Sequence, residues 1–287
     1  MVKDNSFYNG YARALIIIFL MVSAFFVSAQ DTSKLDKKLD EVQSLLEQEK
    51  FDKALVILNK LIKRTDDSDY KTQLLYARAF AYYGMNNLQN SLADVNQVLT
   101  DHPDFQEARL LRAELYNLTQ DYQKGIADLS VLIDAHADIS LINNRVSMAL
   151  DAGDYALACQ DIKTMLMYNP TPDAETYLGY VYYLSDDLDS AQLCLDSTIE
   201  KYPDHADAYF YAGIVALEKG EKDQAVQYFN KGLTLAPEHA YMQLYKGISL
   251  VEEEDTNEEG CRCLNKAFYQ GMDDAADYLK EYCFGKP

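Results

Sequence analysis

A small residue followed four positions later by a large apolar one recurs along nearly the whole chain: Ala54/Leu58, Ser91/Val95, Gly125/Leu129, Ala158/Ile162, Ala191/Leu195, Ala225/Phe229 and Gly260/Leu264. The successive small residues lie 37, 34, 33, 33, 34 and 35 positions apart. Residues four apart share one face of a helix, and a period near 34 is the length of one helix-turn-helix unit. The spacing therefore predicts a stack of helix pairs in which each pair buries its apolar face against the next. Such a stack is a scaffold, so the period constrains architecture and names no reaction.

With the small residue placed at position 20 of a 34-residue unit, seven units are expected near 35–71, 72–105, 106–138, 139–171, 172–205, 206–239 and 240–273. Each holds two apolar-periodic stretches separated by a polar turn, as at Gly84-Met85-Asn86-Asn87, Gln120-Asp121, Gly153-Asp154, Asp186-Asp187 and Gly220-Glu221. Proline recurs at one phase of the turn between units, as Pro103, Pro170, Pro203 and Pro237. There its fixed φ and missing N–H end the second helix. After the seventh unit, 275–283 reads as one more amphipathic helix with Tyr278, Leu279 and Tyr282 on its apolar side, the cover that the open end of a stack requires. Residues 30–287 are expected to form a single domain.

The phase of these residues resembles the tetratricopeptide repeat pattern, which places Leu-Gly and Tyr in the first helix, then Ala, a large residue and Pro. The fifth unit shows Leu178-Gly179, Tyr182, Ala191, Leu195 and Pro203; the sixth shows Tyr209, Ala212-Gly213, Ala216, Ala225, Phe229 and Pro237. The second unit departs at Arg78-Ala79 and Ser91, the third at Arg112-Ala113 and Gly125, and the first lacks both the glycine and the proline. The resemblance implies an all-α fold, a right-handed solenoid of helix pairs closed by the C-terminal capping helix.

Residues 1–29 read as a signal peptide. Lys3 and Arg13 supply positive charge, Ala14 to Val27 carries none, and Val27-Ser28-Ala29 offers small residues for cleavage before Gln30. The uncharged run is short for a bilayer span, which takes about 20 apolar residues. Export to a periplasmic or extracellular space is expected, with no stable membrane insertion after cleavage. An uncleaved segment anchoring the chain in the inner membrane is the alternative. Removing Lys3, Arg13 and Asp4 leaves 24 of 26 basic and 45 of 46 acidic residues, a net charge of about −21. That charge repels phosphate backbones, so nucleic acid is not an expected partner. Export also makes the five cysteines informative. Cys261 and Cys263 lie two apart and point to different sides of a helix, and Cys283 could approach one of them if the last helix folds back; buried free thiols are the alternative.

No phosphate-binding loop, nucleophile elbow or paired metal-ligand motif occurs, and no cofactor is expected. The histidines fall only in turns between units, His102 and His136 at one phase, His205 and His239 at another. Neighbouring units place such residues on the order of 10 Å apart, too far to share a metal with ligand bonds of about 2 Å. The acidic run Glu252-Glu253-Glu254-Asp255 lacks the alternating spacing and glycine of a calcium loop. The chain is not expected to be an enzyme.

In arrays of the family that this chain resembles, the first helix of each unit lines a concave groove through positions 2, 5, 9, 12 and 13. Carried over, these positions give Tyr76, Phe80 and Tyr83; Leu110, Glu114, Asn117 and Leu118; Asn143, Ser147 and Leu150; Thr176, Tyr180, Tyr183 and Leu184; Phe210, Ile214 and Leu217; and Tyr241, Leu244, Ile248 and Val251. The resulting surface is apolar and aromatic and holds no Lys or Arg, which disfavours a clamp for a peptide carboxylate. Buried aromatics suit an extended peptide or partner helix. The expected function is a non-enzymatic interaction scaffold of the cell envelope that binds a protein or peptide. A carbohydrate-binding module and a self-associating structural protein are the alternatives.

Overall fold

The computed structural model describes residues 32–136, 138–251 and 257–284. The signal segment with its cleavage position and the run Glu252 to Asp255 lie outside the described residues. The chain divides into two compact units, one ending at Ala152 and one beginning at Gly153. The first holds α1 (Thr32–Glu47), α2 (Phe51–Ile62), α3 (Ser68–Gly84), α4 (Leu88–Asp101), α5 (Gln106–Leu118), α6 (Tyr122–Ala135) and α7 (Ile139–Asp151). The second holds α8 (Tyr155–Tyr168), α9 (Pro172–Leu184), α10 (Leu188–Lys201), α11 (Ala206–Glu218), α12 (Lys222–Leu235), α13 (Ala240–Val251), α14 (Asn257–Tyr269) and α15 (Ala275–Tyr278). Within each unit consecutive helices pack as pairs, and the described residues contain no strand. The fold is all-α, built as the period predicts.

Local chemistry sets the helix ends. Side chains of Asp67, Asp138, Asp154, Thr171 and Asp187 accept from backbone N–H groups of the first turns of α3, α7, α8, α9 and α10. The first helix of a pair ends in a recurring reversal, in which a residue with positive φ precedes an N–H that reaches back five residues. Asn87 N donates to Tyr82 O at 2.8 Å, Asp121 N to Tyr116 O at 2.8 Å, Asp187 N to Tyr182 O at 3.0 Å and Glu221 N to Ala216 O at 2.8 Å. Glycine fills the positive-φ position as Gly220, but Asn86, Gln120 and Asp186 fill it elsewhere. Gly84 does not supply this turn: it closes α3, and a Cβ there would collide with the Phe51 ring. Second helices end where proline forces the preceding residue out of helical space: His102, Asn169, Tyr202 and Ala236 take φ between −130 and −146°.

The small-large residues are the cores of the pairs. All seven small residues and their large partners are buried. A Cβ on Gly179 would come within 2.6 Å of Leu195 Cγ, and one on Gly247 within 2.8 Å of Leu264 Cγ, so glycine permits the close crossing of α9 on α10 and of α13 on α14. Ser91 serves as a small residue because its buried hydroxyl donates to Ala79 O at 2.7 Å.

The chain closes on itself at the C-terminus. Ala275 and Leu279 are buried in a cluster with Leu244, Val251, Leu264 and Ala267, and Tyr278 and Tyr282 pack on its rim. Only Ala275–Tyr278 is α-helical; Leu279–Cys283 widens into a π-type turn. A disulfide joins Cys283 to Cys261 with Cα atoms 5.7 Å apart, and Cys263, on the other side of α14, is a buried thiol.

Candidate binding surfaces

In the first unit the groove positions converge on a pocket of about 310 Å³. Tyr76, Phe80 and Leu110 line it, together with Glu114 and Asn143. Tyr76 and Phe80 are mainly core residues with an edge on the pocket. The Tyr76 ring lies 5.0 Å from that of Phe105, and Phe80 packs between Phe51 and Tyr83 at 6.5 and 6.0 Å. Leu110 is half-buried, and Leu129 and Met148 close the apolar side.

The polar side of the pocket is acidic. Glu107, Glu114 and Asp138 line it, and no Lys or Arg does. Asn117 and Tyr83 beside Glu114 favour its charged form, yet burial outweighs them and holds its carboxyl above the usual range. Burial and the neighbouring Glu114 carboxylate push the Tyr83 phenol up to about 12. Tyr76 is raised as well, by burial first and then by Glu107.

Behind the pocket runs a set of ion pairs that the residue pattern did not single out. Arg78 grips Asp94 through two bonds of 2.7 Å and donates to Asn59 at 2.8 Å. One repeat later Arg112 grips Asp128 through two bonds of 2.7 Å and donates to Asn96 at 3.0 Å, and Arg109 adds a bond to Asp128 at 3.2 Å. The two arginines that depart from the family pattern thus occupy one phase, each 16 residues before its aspartate. That spacing, repeated at an interval of 34, is the signal that could have found them.

The second unit presents rings instead of a pocket. Tyr180 contacts Tyr177 and Tyr183 along α9 at 6.3 Å each, and reaches Tyr211 of α11 at 5.0 Å. Phe210 continues the row to Tyr211 at 5.0 Å, Tyr241 at 6.3 Å and Tyr245 at 6.1 Å, with the His239 ring at 5.0 Å. Tyr180, Tyr183 and Phe210 are half-buried, and Tyr241 is 53% exposed. Burial first, and then the carboxylate of Glu218, raises the Tyr183 phenol. Ile214 packs beneath against the core of α11 to α13, whereas Leu244 is buried in the cap cluster and offers no free surface. The aromatics are therefore gathered into one row rather than spread. Three rings of the row were missed: Tyr177, Tyr211 and Tyr245 lie outside the groove positions carried over from the family, although their spacing of 34 marks them as one phase. Tyr182 packs against the α10 core instead, with Lys163 Nζ 5.3 Å from its ring centre.

The turn histidines meet aspartates at long range, His102 with Asp69 at 3.7 Å, His205 with Asp173 at 3.6 Å and His239 with Asp207 at 3.8 Å. The described residues contain no cluster of three metal-ligating side chains. Cys194 is a thiol that burial pushes up to about 11, far from the thiolate form that nucleophilic chemistry needs. No described helix is long and apolar enough to cross a membrane.

Residues 76–138 of the first unit and 178–240 of the second match the family model of the tetratricopeptide repeat. Those two stretches carry tetratricopeptide repeats. Solved repeat structures share the fold at low identity. The C-terminal part of a TPR repeat-containing protein from Cytophaga hutchinsonii is 15% identical, with a TM-score of 0.61, over 84% of this chain and 98% of that one. A tetratricopeptide repeat protein from Parabacteroides merdae is 16% identical, with a TM-score of 0.51, over 86% and 96%. A structure of Naa15/Naa10 bound to HypK-THB matches at 15% identity and a TM-score of 0.59, over 88% of this chain and 43% of that one. No curated protein sequence matches the chain. The repeats matched in the two units carry most of the acid-lined pocket and of the aromatic row.

Proposed function

We propose that the chain is an exported, non-enzymatic interaction scaffold of seven tetratricopeptide units spanning 35–273, which binds a segment of another cell-envelope protein on the first helices of its repeats. The observation that carries this reading is the aromatic row of the second unit. Half-exposed rings from α9, α11 and α13 touch one another across consecutive repeats, which gives a continuous apolar strip with phenol tips. Such rings supply much contact area at small conformational cost and form the energetic centre of many interfaces. Naa15/Naa10, of the same fold, is bound to HypK-THB, which supports a protein partner. Signal cleavage before Gln30 is part of the proposal, and the Cys261–Cys283 disulfide suits the oxidising compartment to which export leads.

Replacing Tyr180, Tyr183 and Phe210 together with alanine should abolish capture of the native envelope partner and leave far-ultraviolet circular dichroism unchanged. Capture at undiminished affinity would overturn the reading. The gathering of the rings also keeps a sugar ligand in view, since pyranose faces stack on tyrosine; selective retention on a glycan array would favour it over a protein. Association through the open ends or the ring row is tested by sedimentation at two concentrations.

A further inference from the structure

The pocket of the first unit combines carboxylates with an apolar wall. We propose that it receives a basic side chain, Lys or Arg, flanked by an apolar one, from an extended segment of the partner protein. This rests on the proposed scaffold function and adds the chemistry of what is bound. A volume of about 310 Å³ is at the lower limit of ligand sites and suits one or two side chains. Phe80, Leu110 and Leu129 form the apolar wall.

The three carboxylates are not equivalent. Glu107 lies in the first turn of α5, and Asp138 caps α7 by accepting from Ser140 N at 2.8 Å, so both offset the positive end of a helix. Glu114 sits in the second half of α5, where the helix gives it no such compensation, and the polar groups beside it, Tyr83 and Asn117, are neutral. The nearby cations are already taken, Arg78 by Asp94 and Arg112 by Asp128. A neutral apolar ligand would strip water from Glu114 without replacing it, and an acidic ligand would be repelled. An ammonium or guanidinium supplies the charge-assisted bond that Glu114 lacks, while the stem and apolar neighbour of the cation cover the wall. The net charge of −20 draws a basic segment toward the chain at low salt.

The test uses the full-length protein at pH 8. Fluorescence anisotropy is read with three neutral-dye peptides of sequence Ser-Leu-Lys-Leu-Ser, with Lys kept or replaced by Gln or Glu. The Lys peptide should bind about tenfold more tightly than the Gln peptide, and the Glu peptide most weakly. Glu114→Gln, which keeps the shape of the side chain, should reduce the Lys-over-Gln preference to about twofold or less without weakening the Gln peptide. Leu110→Ala should weaken all three. Equal binding of the three peptides that Leu110→Ala abolishes would overturn the preference for a cation while leaving the scaffold reading intact. A preference that survives Glu114→Gln would overturn the assignment of Glu114. No binding by any peptide would overturn the proposal, while capture by the Tyr180, Tyr183 and Phe210 triple variant judges the scaffold reading on its own.

Discussion

The two units solve the same packing problem with different chemistry. In the first, Arg78 and Arg112 at one phase of the repeat grip Asp94 and Asp128 across the helix pair. In two helix pairs of the second, α9 with α10 and α11 with α12, the same phases hold Leu178 and Ala212, facing Cys194 and Tyr228. Leu178 and Ala212 are buried and carry no charge; Cys194 donates weakly to Glu175 O at 3.5 Å. The helix-pair geometry therefore does not depend on the pairs. What the pairs change is specificity: they fix the facing helices by directional bonds and use up the local cations, leaving an acidic pocket on one side. The second unit, where Lys246 at this phase donates to Glu259 at 2.6 Å, carries rings on its first helices as well.

The comparison is broken most severely at Asp128. Its side chain is 5% exposed and binds two arginines, so Asp128→Ala strands buried positive charge and should cost about 3 kcal/mol. Cys194→Ala at the same phase should cost about 1 kcal/mol or less. Chemical denaturation of both variants measures the difference, and equal losses would remove the distinction between the units.

The units also differ in covalent closure. The Cys261–Cys283 bond closes a loop of 22 residues at the free end of the second unit. Cys283→Ser should lower stability by about 3 kcal/mol. Hydrogen exchange should speed up in α13 and α14 while α3 to α6 remain protected. Uniform loss of protection would mean that the two units unfold as one.

A smaller effect sharpens the common geometry. Asn86, Gln120 and Asp186 hold positive φ, a conformation that glycine adopts without strain. Asn86→Gly in the first unit and Asp186→Gly in the second should each raise the thermal midpoint, by about 0.5 to 1 kcal/mol of stability. A loss in either unit would show that its side chain holds the turn by some other interaction.

The smallest effect is a difference in pH response. The Glu114 carboxyl is raised by burial, so the folded state binds its proton more tightly than the unfolded state does. Its contribution to stability falls as pH rises from the ordinary glutamate value of about 4.3 to the folded value. Glu259 is lowered by its bond to Lys246 at 2.6 Å, so its contribution is present above that ordinary value and is lost as pH falls through the folded one. Glu114→Gln and Glu259→Gln should therefore change the acid limb of the stability profile in opposite directions. Changes of the same sign would contradict one of the two environments.

Residues whose role repeats with the period could be read from the chain. The buried small-large pairs follow from spacing alone, because position on a helix fixes which face a residue joins. The helix ends before Pro103, Pro170, Pro203 and Pro237 follow from the geometry of proline. Contacts between separate helices were harder to read. Arg78 and Arg112 looked like departures from the repeat until Asp94 and Asp128 were seen opposite them. Tyr177, Tyr211 and Tyr245 fell outside the family's groove positions, yet they complete the ring row. Tyr76 and Leu244, placed on the groove by phase, are largely consumed by Phe105 and by the cap.

The 34-residue period by itself requires an all-α stack of helix pairs, since it repeats the same apolar stripe and the same breaks at each turn. It could not say which of Cys261 and Cys263 would meet Cys283, because both lie on one short helix and the choice depends on how α15 and its π-type turn come back to α14. Nor could it say that one unit would carry an acid-lined pocket and the other a row of rings. Both depend on distances between side chains from different helices, which are set when the pairs pack and not by the order of residues along any one of them.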